Sequence, residues 1–287
     1  MNKGLTITRR ISAILGAIAV NGALYIPASA QIRVDAPLHS SYESCLSCDL
    51  SNKRLNGMKL ENTNFAGSFF NNSNLSGGKF HGADLTGAHF RKALLYRFQG
   101  DAVKLAGAIF EDATLTEASV TNSTLHKIDL NRATMTRANF SQNDFRAAIL
   151  TNAQAVNANL SNSNFENAIL DDGNFQDTNL TDSNFKNASF GKAILLGSQL
   201  QGTNLSGADL SNAQGLSQAQ LDTACGNVST QLPHGLFLPF CSPPDILLED
   251  VSLEELPVNS AGAEEQEPKT FTQTPINQDP LILGFGQ

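Results

Sequence analysis

The chain has 287 residues, a length that allows one or two domains, and only 16% of them are charged. The net charge of −8 is concentrated near the C-terminus: residues 242–287 hold nine acids and one base, whereas residues 1–241 hold 18 acids and 18 bases. A neutral body excludes a general electrostatic attraction to nucleic acid, and we expect no nucleic-acid partner.

The first thirty residues have the layout of a secretory signal peptide. Three bases lie within residues 3–10, an apolar run covers 11–26, and residues 28–30 read Ala-Ser-Ala, with small side chains where a signal peptidase cuts. Asn21 interrupts the run, which disfavours a membrane-spanning helix; a retained anchor or a buried N-terminal helix is the alternative. We predict cleavage before Gln31, no stable membrane insertion afterwards, and a periplasmic or secreted protein (the thylakoid lumen if the host is a cyanobacterium).

The middle of the chain repeats every five residues. Of the 33 positions at every fifth residue from Leu50 to Leu210, 18 are Leu and 11 are Phe, and only Gly100 and Ala155 break the series. Two residues before these centres the side chain is small at 28 of the 33 positions. A period of five fits neither a helix nor a strand, which repeat every 3.6 and every two residues. It fits a solenoid in which each unit makes one short extended side and one turn.

The units resemble those of the pentapeptide-repeat family, whose pattern is A(D/N)LXX. Clear examples are residues 83–87 (ADLTG), 163–167 (SNFEN) and 208–212 (ADLSN). The resemblance covers residues 46–214. It implies an all-β fold, a right-handed quadrilateral parallel β-helix with four units per coil, so that residues 20 apart stack and the 33 units make about eight coils.

The predicted organisation continues on both sides of the repeats. It consists of a signal peptide (1–30), an N-terminal segment (31–45), the β-helix (46–214), a helical cap (215–241) and an acidic disordered tail (242–287). Ser217 is a suitable N-cap and Gly226 a suitable terminator for a short capping helix. This segment is similar to the closing segment of some secreted pentapeptide-repeat proteins, and the tail is rich in Pro, Gln and acids.

The 20-residue stacking predicts two columns of aromatic rings in the interior. Their members are Phe70, Phe90 and Phe110 in one column and Phe145, Phe165 and Phe185 in the other. The coil that contains Phe98 and Gly100 departs most from the pattern, because a large side chain takes the small position and a glycine takes the centre. We expect a local bulge there rather than a binding site.

Four cysteines are the only constellation that promises chemistry. Cys45 and Cys48 precede the repeats, and Cys225 and Cys241 follow them. Because export favours oxidation, we predict structural disulfides, with Cys225–Cys241 closing the cap and Cys45–Cys48 closing a small, strained ring. A redox pair and a metal site are the alternatives, but the spacing lacks the second Cys-x-x-Cys of a typical zinc site.

The remaining residues offer no catalytic arrangement. The five histidines lie in distant units, and the sequence contains neither a nucleophile elbow nor a phosphate-binding glycine loop. We therefore expect no enzymatic activity, no cofactor and no metal.

Two functions from different classes fit these features. The first is an exported, non-enzymatic rod that is structural or binds another protein; a homodimer formed through a rod end is consistent with it. The alternative follows the family members that inhibit type II topoisomerases by resembling DNA. Such mimicry requires a negative rod in the cytoplasm, whereas residues 50–212 carry 14 acids and 14 bases and the chain begins with an export signal.

Charges at equivalent positions of successive coils predict ladders. Two residues after the centre, one corner column reads Lys92, Asp112, Arg132 and the next reads Arg97, Glu117, Arg137. Neighbouring strands lie about 4.8 Å apart, so we expect each acid between two bases. Residues 53–146 have a net charge of +4 and residues 147–212 one of −4. We predict that Lys92, Arg97, Arg132 and Arg137 form an interaction surface for an acidic partner.

Overall fold

The computed structural model describes residues 44–241. The predicted signal peptide, most of the N-terminal segment and the acidic tail lie outside these residues. Within them, short extended segments pair in parallel with the segments 20 residues later, from Asp49↔Phe69 to Ile194↔Gln214. Four such segments, five residues apart, occupy each stretch of 20 residues. The predicted 20-residue stacking is therefore confirmed.

Each coil has four sides, which we number by their central residues. The first side has centres at 50, 70 and so on to 210; the second starts at 55, the third at 60 and the fourth at 65. All 33 centres are buried, so the interior is a continuous apolar column. Burying a Leu or Phe side chain contributes about 1.5–3 kcal/mol, and this repeated burial holds the coils together.

Both predicted aromatic columns are confirmed. The ring centroids of Phe90 lie 4.8 Å from those of Phe70 and 4.5 Å from those of Phe110, with the rings nearly parallel. In the second column Phe165 stacks at 4.5 Å on Phe145 and at 4.6 Å on Phe185. The spacing matches the distance between strands, because identical positions recur at every coil.

The bulge predicted at Phe98 and Gly100 is wrong. The two longest strands of the described region are found there: β1 (Gln99–Asp101) pairs in parallel with β2 (Ser119–Thr121), and Gly100 lies opposite Val120. Phe98 fills the space that the missing central side chain leaves, with its ring 4.7 Å from that of Phe80. A Cβ atom at position 100 would lie 2.7 Å from Val103 Cγ2. The two departures from the pattern therefore compensate each other and leave the register intact.

The corner between the third and fourth sides is closed by a ladder of polar side chains. At most corners the N–H group three residues after a centre donates to the centre's carbonyl, as in Ser68 to Phe65. At this corner, from residue 103 to residue 163, the N–H groups donate to side chains of the next coil instead, in the chain Val103, Ser123, Asn143, Ser163, Ser183. This explains the Asn at position 143: its side chain is buried and also donates to the carbonyls of Val120 and Phe140.

After the repeats, the chain makes one helical turn, α1 (Gln218–Leu221). Ser217 is its N-cap, as predicted, and forms a capping box with Gln220. The helix ends earlier than predicted, and Gly226 does not terminate it: Gly226 pairs with Phe240 in a parallel bridge. A Cβ atom at this position would lie close to the side chains of Leu238 and Thr230. Among residues 44–241, no helix is long and apolar enough to cross a membrane.

Candidate interaction surface

The corners of the solenoid impose a left-handed backbone. From Asn52 to Gly207, the residue two places after each centre has a positive φ, except at Lys192, where the preceding Gly191 has it. A positive φ at the third residue of a four-residue turn is the type II arrangement, which favours glycine, and Asn and Asp tolerate it. The repeat therefore prefers these three residue types at every corner.

The central turns, which we define as those with left-handed residues 92–147, ignore this preference. Before them, at positions 52–87, and after them, at 152–187 and 197–207, every left-handed corner residue is Asn, Asp or Gly. Nine of the twelve corner residues in the central turns are of other types: Lys92, Arg97, Ala102, Glu117, Lys127, Arg132, Arg137, Gln142 and Ala147. The left-handed conformation costs such residues on the order of 1–2 kcal/mol each. Strain of this kind is concentrated at functional sites in proteins.

One of the two predicted charge ladders is complete. Arg97 Nε donates to Glu117 Oε2 at 2.8 Å, and Arg137 Nη2 donates to Glu117 Oε1 at 2.8 Å. The Tyr96 hydroxyl also donates to Glu117, and the Arg97 guanidinium lies 4.8 Å from the centre of the Tyr96 ring. Hydrogen bonds from Arg137, Arg97 and Tyr96 lower the pKa of Glu117 to about 2. The carboxylate thus holds both guanidinium groups in place across three coils.

The second ladder differs from the prediction. Asp112 pairs with Arg132 at 2.7 Å, but within residues 44–241 Lys92 forms no ion pair with it. Arg132 also donates to Glu111 at 2.7 Å, and Arg91 Nε donates to the same carboxylate at 2.8 Å. The rung that sequence reasoning missed is therefore Arg91–Glu111–Arg132. The sequence already indicates this pair, because Arg91 and Glu111 are also 20 residues apart and therefore stack in successive coils.

Both ladders border the second side, and we call the second side between residues 91 and 137, with its two bordering corner columns, the charged face. The outward residues between the columns are Leu94, Thr114 and Thr134, which pair in successive coils. The arginine side chains are about half exposed, from 47% for Arg91 to 65% for Arg97. The acids lie lower, with Glu117 25% exposed and Asp112 31%. The outermost layer of this face is therefore cationic.

A second surface feature was not predicted. On the first side, the outward residue before the centre is apolar in four coils, and these residues pair in one row in which His89 and Asp129 lie between them: Phe69, His89, Ile109, Asp129, Ile149 and Ile169. The rings of Phe69 and His89 lie 4.8 Å apart. Burial and the charge of Arg91 lower the pKa of His89, which favours its neutral form at pH 7. We call this the apolar row; the sequence indicates it by an apolar residue immediately before the centre in four of the nine first-side units.

The cysteines lie at the two ends of the described region. The structure joins Cys45 to Cys48 and Cys225 to Cys241 in disulfide bonds, with Cα atoms 5.8 and 4.6 Å apart. Cys225 pairs with Asn204 of the last coil, and the Cys241 N–H group donates to the carbonyl of Gly226. The second disulfide therefore ties the segment after α1 to the end of the β-helix.

Other candidate sites offer less. In the described part of the chain, no three His, Cys, Asp or Glu side chains are grouped as metal ligands. An open polar groove of about 550 Å³ lies over the Ser/Asn ladder, lined by side chains such as Gln142, Asn162 and Asp182. Its one ion pair, Asp144–Arg146, is internal to one unit at 2.7 Å. No buried side-chain nitrogen or oxygen of residues 44–241 lacks a hydrogen-bond partner there or elsewhere.

Comparison with known proteins agrees with this geometry. The family model "Pentapeptide repeats" matches in eight copies, over residues 54–91 and, in overlapping matches, 101–224. The chain belongs to the pentapeptide-repeat family. No curated protein sequence matches it closely enough to count as a relative.

The solved structure of one family member, HetL, has a similar fold. HetL, a pentapeptide-repeat protein involved in heterocyst differentiation regulation from the cyanobacterium Nostoc sp. strain PCC 7120, is 21% identical. The match covers 69% of this chain and 85% of HetL with a TM-score of 0.57. QnrB1, a plasmid-mediated fluoroquinolone resistance protein, is 20% identical over 67% of this chain and 94% of its own, with a TM-score of 0.31.

A further match is a pentapeptide-repeat protein from the thylakoid lumen of Arabidopsis thaliana. It is 24% identical over 37% of this chain and 70% of its own, with a TM-score of 0.28. The family model and the match to HetL support the β-helix of the family and leave function to be argued from the surface.

Proposed function

We propose that this pentapeptide-repeat protein is exported and acts, without catalysing a reaction, as a rod that binds another protein through its charged face. The observation that carries the proposal is that, of the left-handed corner positions between residues 52 and 207, only those of the central turns hold long charged side chains. The fold alone favours Asn, Asp or Gly at these corners, as the rest of the repeats have. Folding therefore does not explain the charged residues at these corners, and recognition of a partner does.

The packing of the interior directs binding to the outer surface. Phe98, Phe110, Phe140 and their neighbours surround a gap in the central coils that leaves no volume for a water molecule. A ligand has no entry to the core of a β-helix packed in this way. Recognition must therefore use the outward residues of the four sides and the corners.

Export is supported by the signal-like N-terminus and by the arrangement of the cysteines. All four are paired in the described region. We propose a rod of about eight coils whose C-terminal end is closed by residues 215–241. Gln220 Nε2 donates to the carbonyls of Leu195 and Ser198, and the Gln231 N–H group donates to Ala208, which satisfies edge groups of the last coils. The periplasm, the exterior or a thylakoid lumen is the proposed location.

Inhibition of a topoisomerase is the competing function. It places the protein in the cytoplasm and presents a negative rod to the enzyme. Residues 50–212 carry equal numbers of acids and bases, and the outer layer of the charged face is cationic. These features favour the proposed function.

Fractionation of the native host with thiol counting tests the proposal. We expect the full chain, cleaved before Gln31, in an exported fraction, with no free thiol under non-reducing mass spectrometry. A cytoplasmic protein with an intact N-terminus and four free thiols would contradict export and favour the competing function. A mature exported protein that cross-links to no other protein would contradict the binding role.

A further inference from the structure

We infer that the charged face, together with the apolar row that adjoins it at the edge between the first and second sides, is the docking surface for a partner protein that presents carboxylates around an apolar contact. This inference rests on the proposed function and adds the place of binding and the chemistry of the partner. It follows from four observations on this surface.

The first observation is the layering of charge. The charged face has five cations against three acids, and the acids lie beneath the guanidinium groups: Arg97 and Arg137 are 65% and 61% exposed, but Glu117 only 25%. An approaching surface meets the cations first. Complementarity therefore favours an anionic partner.

The second observation is that the arginines are fixed but not saturated. Arg91 and Arg97 each donate through Nε to an acid of the next coil. Within residues 44–241 their Nη groups donate no hydrogen bond, which leaves a planar fork for an external carboxylate. Because the acids hold the side chains in place, binding costs less conformational entropy than it would for free arginines.

The third observation is the apolar surface beside these arginines. Ile109 of the apolar row and Glu111 belong to one coil and are separated by a single inward residue, Phe110. Leu94, on the other side of the corner, is 46% exposed. Apolar and aromatic contacts framed by arginine are the composition of protein–protein interfaces. Carboxylates on a protein therefore fit this surface better than the phosphates of a nucleic acid or a lipid.

The fourth observation is that the other sides lack this combination. The outward residues of the third side are polar throughout residues 59–199, including Lys59, Lys79 and Asn159. Lys79 is exposed and provides a matched charge on a side that we exclude from docking.

Site-specific photo-crosslinking of the full-length protein in its native host tests the inference. A benzophenone side chain replaces Leu94 or Thr114 on the charged face and, as controls, Asn159 or Asn179 on the third side. We expect one discrete protein adduct from positions 94 and 114 and none from positions 159 and 179.

The matched charge variants identify the chemistry. In R97E/E117R/R137E the ladder keeps its alternation, so it still folds, but its exposed layer becomes acidic. K79E changes the net charge by the same amount on the third side. We expect the adduct to fall about tenfold in the inverted ladder and to be unchanged in K79E.

The outcomes separate the inference from the proposed function. An adduct from the third side only, or one that survives ladder inversion, would overturn the inference and leave the binding role standing. The absence of an adduct from all four positions would overturn both. An adduct that nuclease digestion or lipid extraction removes would assign the face to a nucleic acid or a membrane and would also overturn the inference.

Discussion

The central turns and the turns that follow them share one interior and differ at their corners. In both regions the centres are buried and aromatic rings stack at 4.5–4.8 Å, as Phe90 and Phe165 do with their neighbours. At the corners after residue 150, Asn and Asp predominate, whereas the central turns have Lys, Arg and Glu in the same left-handed conformation. The comparison separates what the fold requires from what it merely permits.

The lesson is that an unfavourable residue is informative where its alternatives are known. Thirty-one equivalent corners define what the backbone prefers, so a departure at Arg97 or Arg137 is visible without any second sequence. The ion pairs with Glu117 offset part of the strain, but exposed pairs contribute little. A region that keeps nine such residues together has a surface selected for something other than stability.

The largest expected effect tests whether the two regions share their core. Phe90→Ala and Phe165→Ala each remove a fully buried ring from a stack. Such truncations cost about 3–5 kcal/mol, so we expect the melting temperature to fall by about 10 °C in both variants. Phe69→Ala, on the outer surface beside Phe70, is the control and should have a much smaller effect. A large difference between the two core variants would show that the central turns are packed differently.

The next largest effect concerns backbone strain, and it tests the loss of stability that we attribute to the left-handed corners of the central turns. Gly107 and Ala147 occupy the same corner column with φ of 64° and 55°. A Cβ atom at Gly107 would meet no atom within 4 Å, so Gly107→Ala introduces strain without a collision. We expect Gly107→Ala to destabilise and Ala147→Gly to stabilise, each by about 1 kcal/mol, or 2–4 °C in thermal melts. Equal melting temperatures would show that the left-handed corners of the central turns carry no backbone strain, and the comparison depends on that strain.

Sequence reasoning reached the repeat because a five-residue register leaves every inward position fixed. The stacks of Phe90 and Phe165 and the ladder at Glu117 followed from adding 20 to a residue number. It failed at Gly100, because the compensation by Phe98 depends on the volume shared by two positions and not on either alone. It predicted a pair with Lys92 rather than Arg91, because the register gives the coil in which a side chain lies but not how far the side chain extends. The apolar row is not conspicuous in the sequence, because its apolar members lie at least 20 residues apart and His89 and Asp129 interrupt them.

Charge reversal within the ladder tests the electrostatic difference between the regions. Glu117→Lys places a third cation between Arg97 and Arg137 and should lower the melting temperature by a few degrees at low salt. At 1 M salt the screening length is about 3 Å, against about 30 Å at 0.01 M, so the loss should largely disappear. Asp177→Lys is the matched control, because its neighbours in the same column are Asn157 and Gly197. The same salt dependence in both variants would contradict the ladder as its source.

The smallest effect concerns pH and tests Glu117 without adding a charge. Hydrogen bonds from Arg137, Arg97 and Tyr96 lower the pKa of Glu117 in the folded protein from its ordinary value of 4.5 to about 2. A lowered folded pKa means that the ionised carboxylate stabilises the fold above pH 4.5 and that this contribution is lost as the pH falls towards 2.

Glu117→Gln should therefore reduce the slope of stability against pH between about 4.5 and 2. The slope will not vanish, because hydrogen bonds from Arg91 and Arg132 also lower the pKa of Glu111, and hydrogen bonds from Arg132 lower that of Asp112. Asp177→Asn removes a carboxylate that has no arginine above or below it in the same column, and it serves as the control. Urea unfolding at intervals of half a pH unit measures the difference, and a Glu117→Gln curve parallel to the parent would show that the ladder does not hold this carboxylate in its ionised form.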